Sequence, residues 1–78
     1  MPLKFDSRAD KHHVPRRSSW YVAMTAASVA TTTNWGQPGR LFIGADDRGI
    51  ELEVITVQRG RDEVIVHSMP TANRHTPK

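Results

Sequence analysis

The side chains best suited to chemistry are cations and imidazoles near the N-terminus, together with one histidine far along the chain. They are Lys11, His12, His13, Arg16, Arg17 and His67. Imidazoles titrate near neutral pH and exchange protons, whereas Lys and Arg hold phosphate groups. Together such groups could supply a general acid, a general base and fixed cations for a phosphate, or simply a charged surface for an acidic partner.

Each of these residues also has an ordinary structural interpretation. A histidine before a helix, such as His12, is often solvated, and a strand histidine such as His67 is often half-buried with a hydrogen-bond partner. On the functional interpretation, the candidates for catalysis are His12, His67 and Lys11. The candidates for phosphate and base binding are Arg16, Arg17, Arg40 and Trp35, the last of which lies in a Gly/Pro loop where its ring could stack on a base.

Other site chemistries are disfavoured. His12 and His13 are adjacent, the chain has no cysteine, and no further His or carboxylate stands at a recognised ligand spacing. A phosphate-binding glycine loop, a dinucleotide-binding turn and a G-x-S-x-G elbow are missing from the sequence as well. We therefore expect neither a metal nor a cofactor.

Length and composition limit the fold to one small domain. The chain has 78 residues, with 11 Lys and Arg against 8 Asp and Glu and a net charge of +3 at pH 7, which favours a nucleic acid or an acidic protein as partner. Its longest uncharged stretch, residues 18–39, is rich in Ser, Thr and Asn and is therefore not a membrane span. We expect a soluble, cytoplasmic protein with one domain over residues 1–70 and a flexible tail over 71–78.

The N-terminal half is predicted to be helical. Asp6 and Ser7 suit the start of a helix of one or two turns through His12, and Pro15 suits the start of a second helix through Ala27. The apolar residues of the second helix recur at helical spacing: Trp20, Ala23, Met24 and Ala27, with Tyr21 beside them. This pattern predicts a helix face that packs on a sheet.

The C-terminal half is predicted to form strands. Residues 40–45, 50–57 and 63–69 are β-branched runs separated by glycine-containing turns, which indicates an antiparallel meander of three strands. Residues 28–33 could add a fourth strand. The predicted fold class is α+β, with N-terminal helices packed on a three- to four-stranded antiparallel sheet.

The register of the last hairpin decides which face carries His67. If Arg59 lies opposite Asp62, regular pairing places His67 opposite Val54, on the face away from Glu53. A three-residue loop would instead pair Glu53 with His67, and the sequence leaves both registers open.

Short motifs occur in a fixed order along residues 5–70. They are Phe5-Asp6, Lys11-His12-His13-Val14-Pro15, Arg40-Leu41-Phe42-Ile43-Gly44, Leu52-Glu53-Val54 and Val66-His67-Ser68-Met69-Pro70. In this order the chain resembles the BrnT-like toxins, small ribonucleases of bacterial toxin–antitoxin pairs with a RelE-like fold. The matching family features are an F-x-W-D start, a K-H-G-V segment entering a helix, an R-x-x-x-I-G-like strand and a last strand close to I-I-S-A-R.

The resemblance implies helices on one face of an antiparallel sheet and a basic groove on the other. It also implies RNA cleavage without a metal, inhibition of translation and growth, and a cognate antitoxin as partner. Lys11 and His12 occupy the K-H positions, Arg40 the strand arginine and Ser68 the last-strand serine. Whether the target mRNA is free or on the ribosome stays open, as does an oligomer with the antitoxin.

The sequence departs from the family pattern at functional positions. His13 replaces the glycine of the K-H-G segment, Pro70 stands where the family has an arginine, and the first helix is shorter. The missing cation favours an alternative from another class, a non-enzymatic module that keeps the fold and binds RNA or a protein. A third alternative is a small α+β interaction domain whose resemblance to the toxins is accidental.

Overall fold

The structure, a computed structural model, describes residues 3–75. Its elements are β1 Leu3–Phe5, an N-terminal 3-10 helix Ser7–Asp10, α1 Arg16–Thr25, β2 Ser28–Thr32, β3 Pro38–Ala45, β4 Glu51–Arg59, β5 Asp62–Pro70 and a C-terminal 3-10 helix Thr71–His75. The predicted tail therefore begins with a 3-10 helix, and its residues 76–78 lie outside the described residues. No helix within residues 3–75 is long and apolar enough to cross a membrane.

The strands form one mixed sheet in the order β1-β5-β4-β3-β2. Strands β2 to β5 are an antiparallel meander, and β1 pairs in parallel with β5. The predicted arrangement of several N-terminal helices on a three- to four-stranded antiparallel sheet is therefore wrong. Residues 3–75 form an α+β fold with five strands and a single α-helix.

Local chemistry explains why the first predicted α-helix does not form. Distance along the chain explains why the pairing of β1 with β5 was not predicted. Asp6 accepts a hydrogen bond from the Arg8 backbone N–H at 2.9 Å and starts the N-terminal 3-10 helix. The chain then leaves helical conformation at His13, whose φ is 59°, and Pro15 prevents Val14 from becoming helical. Strand β1 pairs with residues about sixty positions away, which no local pattern reveals.

Helix α1 turns its small residues toward the sheet and its large ones outward. Ser18, Ser19 and Val22 are buried, whereas Trp20 is 46% and Met24 60% exposed. Of the predicted apolar face, Ala23 packs against the core, but the placement of Trp20 and Met24 there is wrong. The tight approach of α1 to the sheet accommodates hydroxyls and a valine but not an indole.

The sheet has a different core on each face. The face under α1 carries the main cluster, which contains Ala9, Val14, Val22, Phe42, Leu52, Val54 and Ile65. The opposite face carries a smaller cluster of Val57, Val64 and Val66, with Ile55 packed against it. The groove described below lies on this second face, where polar side chains surround the smaller cluster.

The β4–β5 hairpin contains a register shift. Pairing near the turn follows the regular prediction, but beyond it His67 lies opposite Ile55 and not Val54, which leaves Val66 as an extra residue in β5. Such a β-bulge redirects the side chains that follow it. His67 therefore lies on the same face as Glu53. Glu53 itself pairs with Met69, so His67 has neither of its two predicted partners, Val54 and Glu53.

Candidate functional site

A groove of about 400 Å³ lies on the face of the sheet opposite α1. Its floor is formed by β4 and β5, one wall by the N-terminal 3-10 helix and the residues after it, and the other wall by the β2–β3 turn. The residues that line it are Arg8, Lys11 and His12 on the first wall, residues 32–35 on the second, and Glu53, Ile55, Val66 and His67 on the floor. Two distant parts of the sequence thus contribute the two histidines.

His67 is held in place by a carboxylate. Its Nε2 lies 2.8 Å from Oε2 of Glu53, whose side chain is buried. An ionised carboxylate only accepts hydrogen bonds, so with Glu53 ionised the contact requires the hydrogen on Nε2 of His67 and leaves Nδ1 to exchange a proton with a ligand. The β-bulge makes this pair by bringing His67 to the face of Glu53.

His12 lies against His67. The two ring centroids are 5.8 Å apart, with the rings edge to face at 79°. Burial lowers the pKa of His12 below its ordinary value, repulsion from His67 and Lys11 lowers it further, and Glu53 acts in the opposite direction. His12 is therefore a neutral imidazole at neutral pH, the form that accepts a proton.

Cations and an aromatic ring complete the groove. Lys11 lines it with an exposed side chain. The guanidinium of Arg8 lies 4.3 Å from the centroid of the Trp35 ring and bridges the two walls. The indole is held from its edge, where Nε1 of Trp35 donates to Oε1 of Gln37 at 3.0 Å. The groove thus offers positive charge, two imidazoles and a π face.

The other predicted cations lie elsewhere. Arg16 donates to both carboxylate oxygens of Asp10, at 3.1 and 2.7 Å, and Arg17 lies 3.7 Å from Asp47 with 86% of its side chain exposed. Arg40 pairs with Thr56 across the strands, on the helix side of the sheet, and lines a separate groove of about 370 Å³. The structure therefore brings together His12, His67, Lys11 and Trp35, and leaves the three arginines outside.

Two groove residues, Arg8 and Glu53, were not among the predicted site residues, although one of the two open registers paired Glu53 with His67. A signal for Glu53 was present, since a carboxylate in the apolar run of β4 needs a partner when it is buried. No signal marked Arg8, because its approach to Trp35 depends on how the two walls of the groove meet. The groove also excludes Ser68, which is buried under α1 with its Oγ 2.6 Å from Oγ of Ser19.

Among residues 3–75, no group of three or more His, Asp or Glu side chains is arranged to hold a metal ion.

Comparison of the chain with protein-family models, curated proteins and solved structures finds no match. The function of the chain is therefore inferred from the groove itself.

Proposed function

We propose that this protein is an endoribonuclease that cleaves RNA without a metal and acts in the cytoplasm as a growth-inhibiting toxin. The observation that carries the proposal is the meeting of His12 and His67, 5.8 Å apart, in a groove with two cations. Two imidazoles on either side of a phosphate can transfer protons to and from both of its ester oxygens.

The proposed reaction is transfer of the phosphoryl group to the neighbouring 2′-hydroxyl. Neutral His12 takes the 2′-hydroxyl proton while the O2′–P bond forms. The P–O5′ bond breaks, and His67 in its protonated form gives its proton to the leaving oxygen. Lys11 stabilises the charge that develops on the phosphate oxygens. The products are a 2′,3′-cyclic phosphate and a 5′-hydroxyl.

The likeness to the BrnT-like toxins supports the role assigned to Lys11 and His12, which stand at the family's K-H positions. The next family residue is glycine, and His13 has φ 59°, in the left-handed region that glycine favours. Pro70 removes the family's last-strand cation, and the cations of the groove, Arg8 and Lys11, come from the N-terminal wall.

RNA cleavage by the purified protein in the presence of a chelator tests the proposal. We expect cleavage to persist, and we expect His12→Ala and His67→Ala each to reduce kcat by about 10²-fold or more. Arg17→Ala is the matched control, because it removes an exposed cation outside the groove. Cleavage that both histidine variants retain at the original rate would contradict the assignment.

Inducible expression in bacteria tests the biological role. The unmutated protein is expected to arrest growth, and Lys11→Ala and His12→Ala are expected to relieve the arrest while accumulating to the same level. Growth that is unaffected by the unmutated protein contradicts the toxin proposal, even if the purified protein cleaves RNA.

A partner protein has a candidate surface on the outer face of α1. Trp20, Tyr21 and Met24 are 46%, 40% and 60% exposed and lie close together on the helix. Contiguous exposed aromatic and Met side chains are typical of protein interfaces. In the toxin proposal this surface is where the antitoxin binds.

The alternative function is that of a binding module without catalytic activity. In that case the function is to bind a partner protein through this surface, and RNA incubated with the protein stays intact under all conditions.

A further inference from the structure

We infer that Arg8 and Trp35 form a clamp that takes one unstacked base of single-stranded RNA, with the base stacked on the indole and covered by the guanidinium. This inference rests on the proposed RNA substrate and deepens it, because it assigns to the groove a subsite for a base beside the site for a phosphate. The two residues come from opposite walls of the groove, the N-terminal 3-10 helix and the β2–β3 turn.

The ring of Trp35 is presented as a platform. The residue is 48% exposed, whereas tryptophan side chains in folded proteins are on average largely buried. Its Nε1 donates to Gln37, which also donates through Nε2 to the backbone carbonyl of Gln58 at 3.3 Å, so the indole is tied to β4 through its edge. Its π face is left for contacts across the groove.

Arg8 supplies the opposing plane. Its guanidinium lies 4.3 Å from the indole centroid, and Asp6 lies 4.0 Å from its Nε on the same wall. A guanidinium stacks on a base as readily as on an indole. To admit a base, Arg8 has to move away from Trp35 by the thickness of one ring. Its side chain is 55% exposed, which leaves room for this movement on the solvent side.

The groove selects the nucleic acid by its conformation. Bases in a duplex are stacked on their neighbours and cannot enter between two side chains, whereas the bases of a single strand can turn outward. His12 and Lys11 line the same groove, so a base held by Arg8 and Trp35 places an adjoining phosphate toward the histidines. The clamp therefore acts in substrate positioning, and neither of its residues takes part in proton transfer.

Binding of a short 2′-O-methyl RNA strand tests the clamp, because this probe has no nucleophilic hydroxyl and cannot be cleaved. The comparison strand has the same phosphates but is abasic. The experiment uses the Trp20→Phe variant, in which Trp35 is the only tryptophan and therefore the only source of tryptophan fluorescence. We expect the base-bearing strand to quench its fluorescence and to bind at least about 5-fold tighter than the abasic strand. A duplex of the same sequence is expected to show no quenching.

Two variants separate the effect of stacking from the effect of charge: Arg8→Lys and Trp35→Leu. Their affinity for each strand is measured by fluorescence anisotropy of labelled strands. Arg8→Lys keeps the charge, so we expect unchanged affinity for the abasic strand and a reduced advantage of the base-bearing strand. Trp35→Leu is expected to abolish that advantage. Equal affinity for the two strands in the unmutated protein, or an equal loss for both strands in Arg8→Lys, would overturn the inference.

Cleavage of unmodified RNA by the same proteins separates this inference from the proposed function. If the unmutated protein shows base-dependent binding and no cleavage, the clamp stands and the catalytic proposal fails. If Trp35→Leu cleaves RNA with an unchanged KM, the catalytic proposal stands and the clamp fails.

Discussion

At the residue scale, His12 shows how position sets the protonation state of a side chain. Burial opposes the charged form of its imidazole, and His67 and Lys11 add repulsion, so its pKa lies below the ordinary value. A base with a lowered pKa stays neutral, and able to accept a proton, down to a lower pH than a solvated histidine.

The acidic side of the pH–rate profile tests this assignment. If His12 is the base, kcat/KM rises with pH as His12 loses its proton, and the rise is complete below the pH range of an ordinary histidine. Lys11→Met removes one of the charges that lower the pKa, so the acidic limb is expected to move to higher pH, in addition to any loss of rate.

An NMR titration of His12 in both proteins supplies the control, since it reads the same pKa without catalysis. An acidic limb that stays in place while the NMR pKa of His12 moves would show that a different group acts as the base.

His13 is strained at the level of the backbone. It is the only non-glycine residue with positive φ among residues 3–75, and the left-handed conformation costs about 1–2 kcal/mol in a residue with a Cβ. His13→Gly is expected to raise the free energy of unfolding by up to about 1 kcal/mol, because glycine recovers the strain but loses more chain entropy.

Chemical denaturation measures this effect, and His13→Ala is the control because it removes the imidazole and keeps the Cβ. We expect no gain in stability from His13→Ala. If glycine is less stable than alanine at this position, the strain assignment is wrong.

At the scale of elements, α1 packs on the sheet through hydroxyl groups as well as apolar contacts. Oγ of Ser19 lies 2.6 Å from Oγ of Ser68, and both residues are almost completely buried. Oγ of Ser18 donates to Oδ1 of Asp47 at 2.7 Å. These small side chains allow the helix to lie close to β5, and the same closeness excludes Trp20 from the interface.

A double-mutant cycle tests the buried pair. Ser19→Ala leaves the hydroxyl of Ser68 without a partner, and the expected cost is about 1–3 kcal/mol in the free energy of unfolding, with a similar cost for Ser68→Ala. The double variant is expected to be no less stable than either single variant, because no buried hydroxyl is then left unsatisfied.

Equilibrium denaturation of the four proteins gives the coupling energy. Additive costs in the double variant would show that the two hydroxyls do not depend on each other. Because Ser68 lies outside the groove, RNA cleavage by the folded variants is expected to be unchanged.

At the scale of the whole molecule, aspartate residues pair with most of the cations. Lys4, Arg8, Arg16, Arg17, Arg48 and Arg59 each lie within 4.0 Å of an aspartate oxygen. Within residues 3–75, Lys11, Arg40 and Arg61 have no such salt bridge, and of these three only Lys11 lines the groove. One unpaired cation of this chain, whose net charge is +3, therefore lies where the proposed substrate binds.

The salt dependence of RNA binding tests this distribution. Each contact with a phosphate of a single strand contributes about −0.7 to the slope of log K against log salt concentration. We expect Lys11→Met to make the slope shallower by about 0.7 for the uncleavable strand. Arg17→Met, which removes the same charge outside the groove, is expected to leave the slope unchanged, and an equal effect of both variants would contradict a localised site.

Local sequence patterns indicated helix α1, the strands of the meander and most of the candidate residues of the groove. The turn residues Asp46 to Gly49 and Arg59 to Asp62 indicate the hairpins, because glycine adopts positive φ there. Pro15 indicates the start of α1, which begins at Arg16. The candidate residues His12, His67, Lys11 and Trp35 follow from residue type alone, since few side chains exchange protons or stack on bases.

Which of these groups come together depends on the tertiary fold. The bulge in β5 brings His67 to the face of Glu53, and its single extra residue has no signature in an apolar run. The parallel pairing of β1 with β5 places the segment that carries Arg8 and His12 beside the groove. Both depend on contacts between residues far apart in the chain, and such contacts are set by the packing of the whole sheet and not by local patterns.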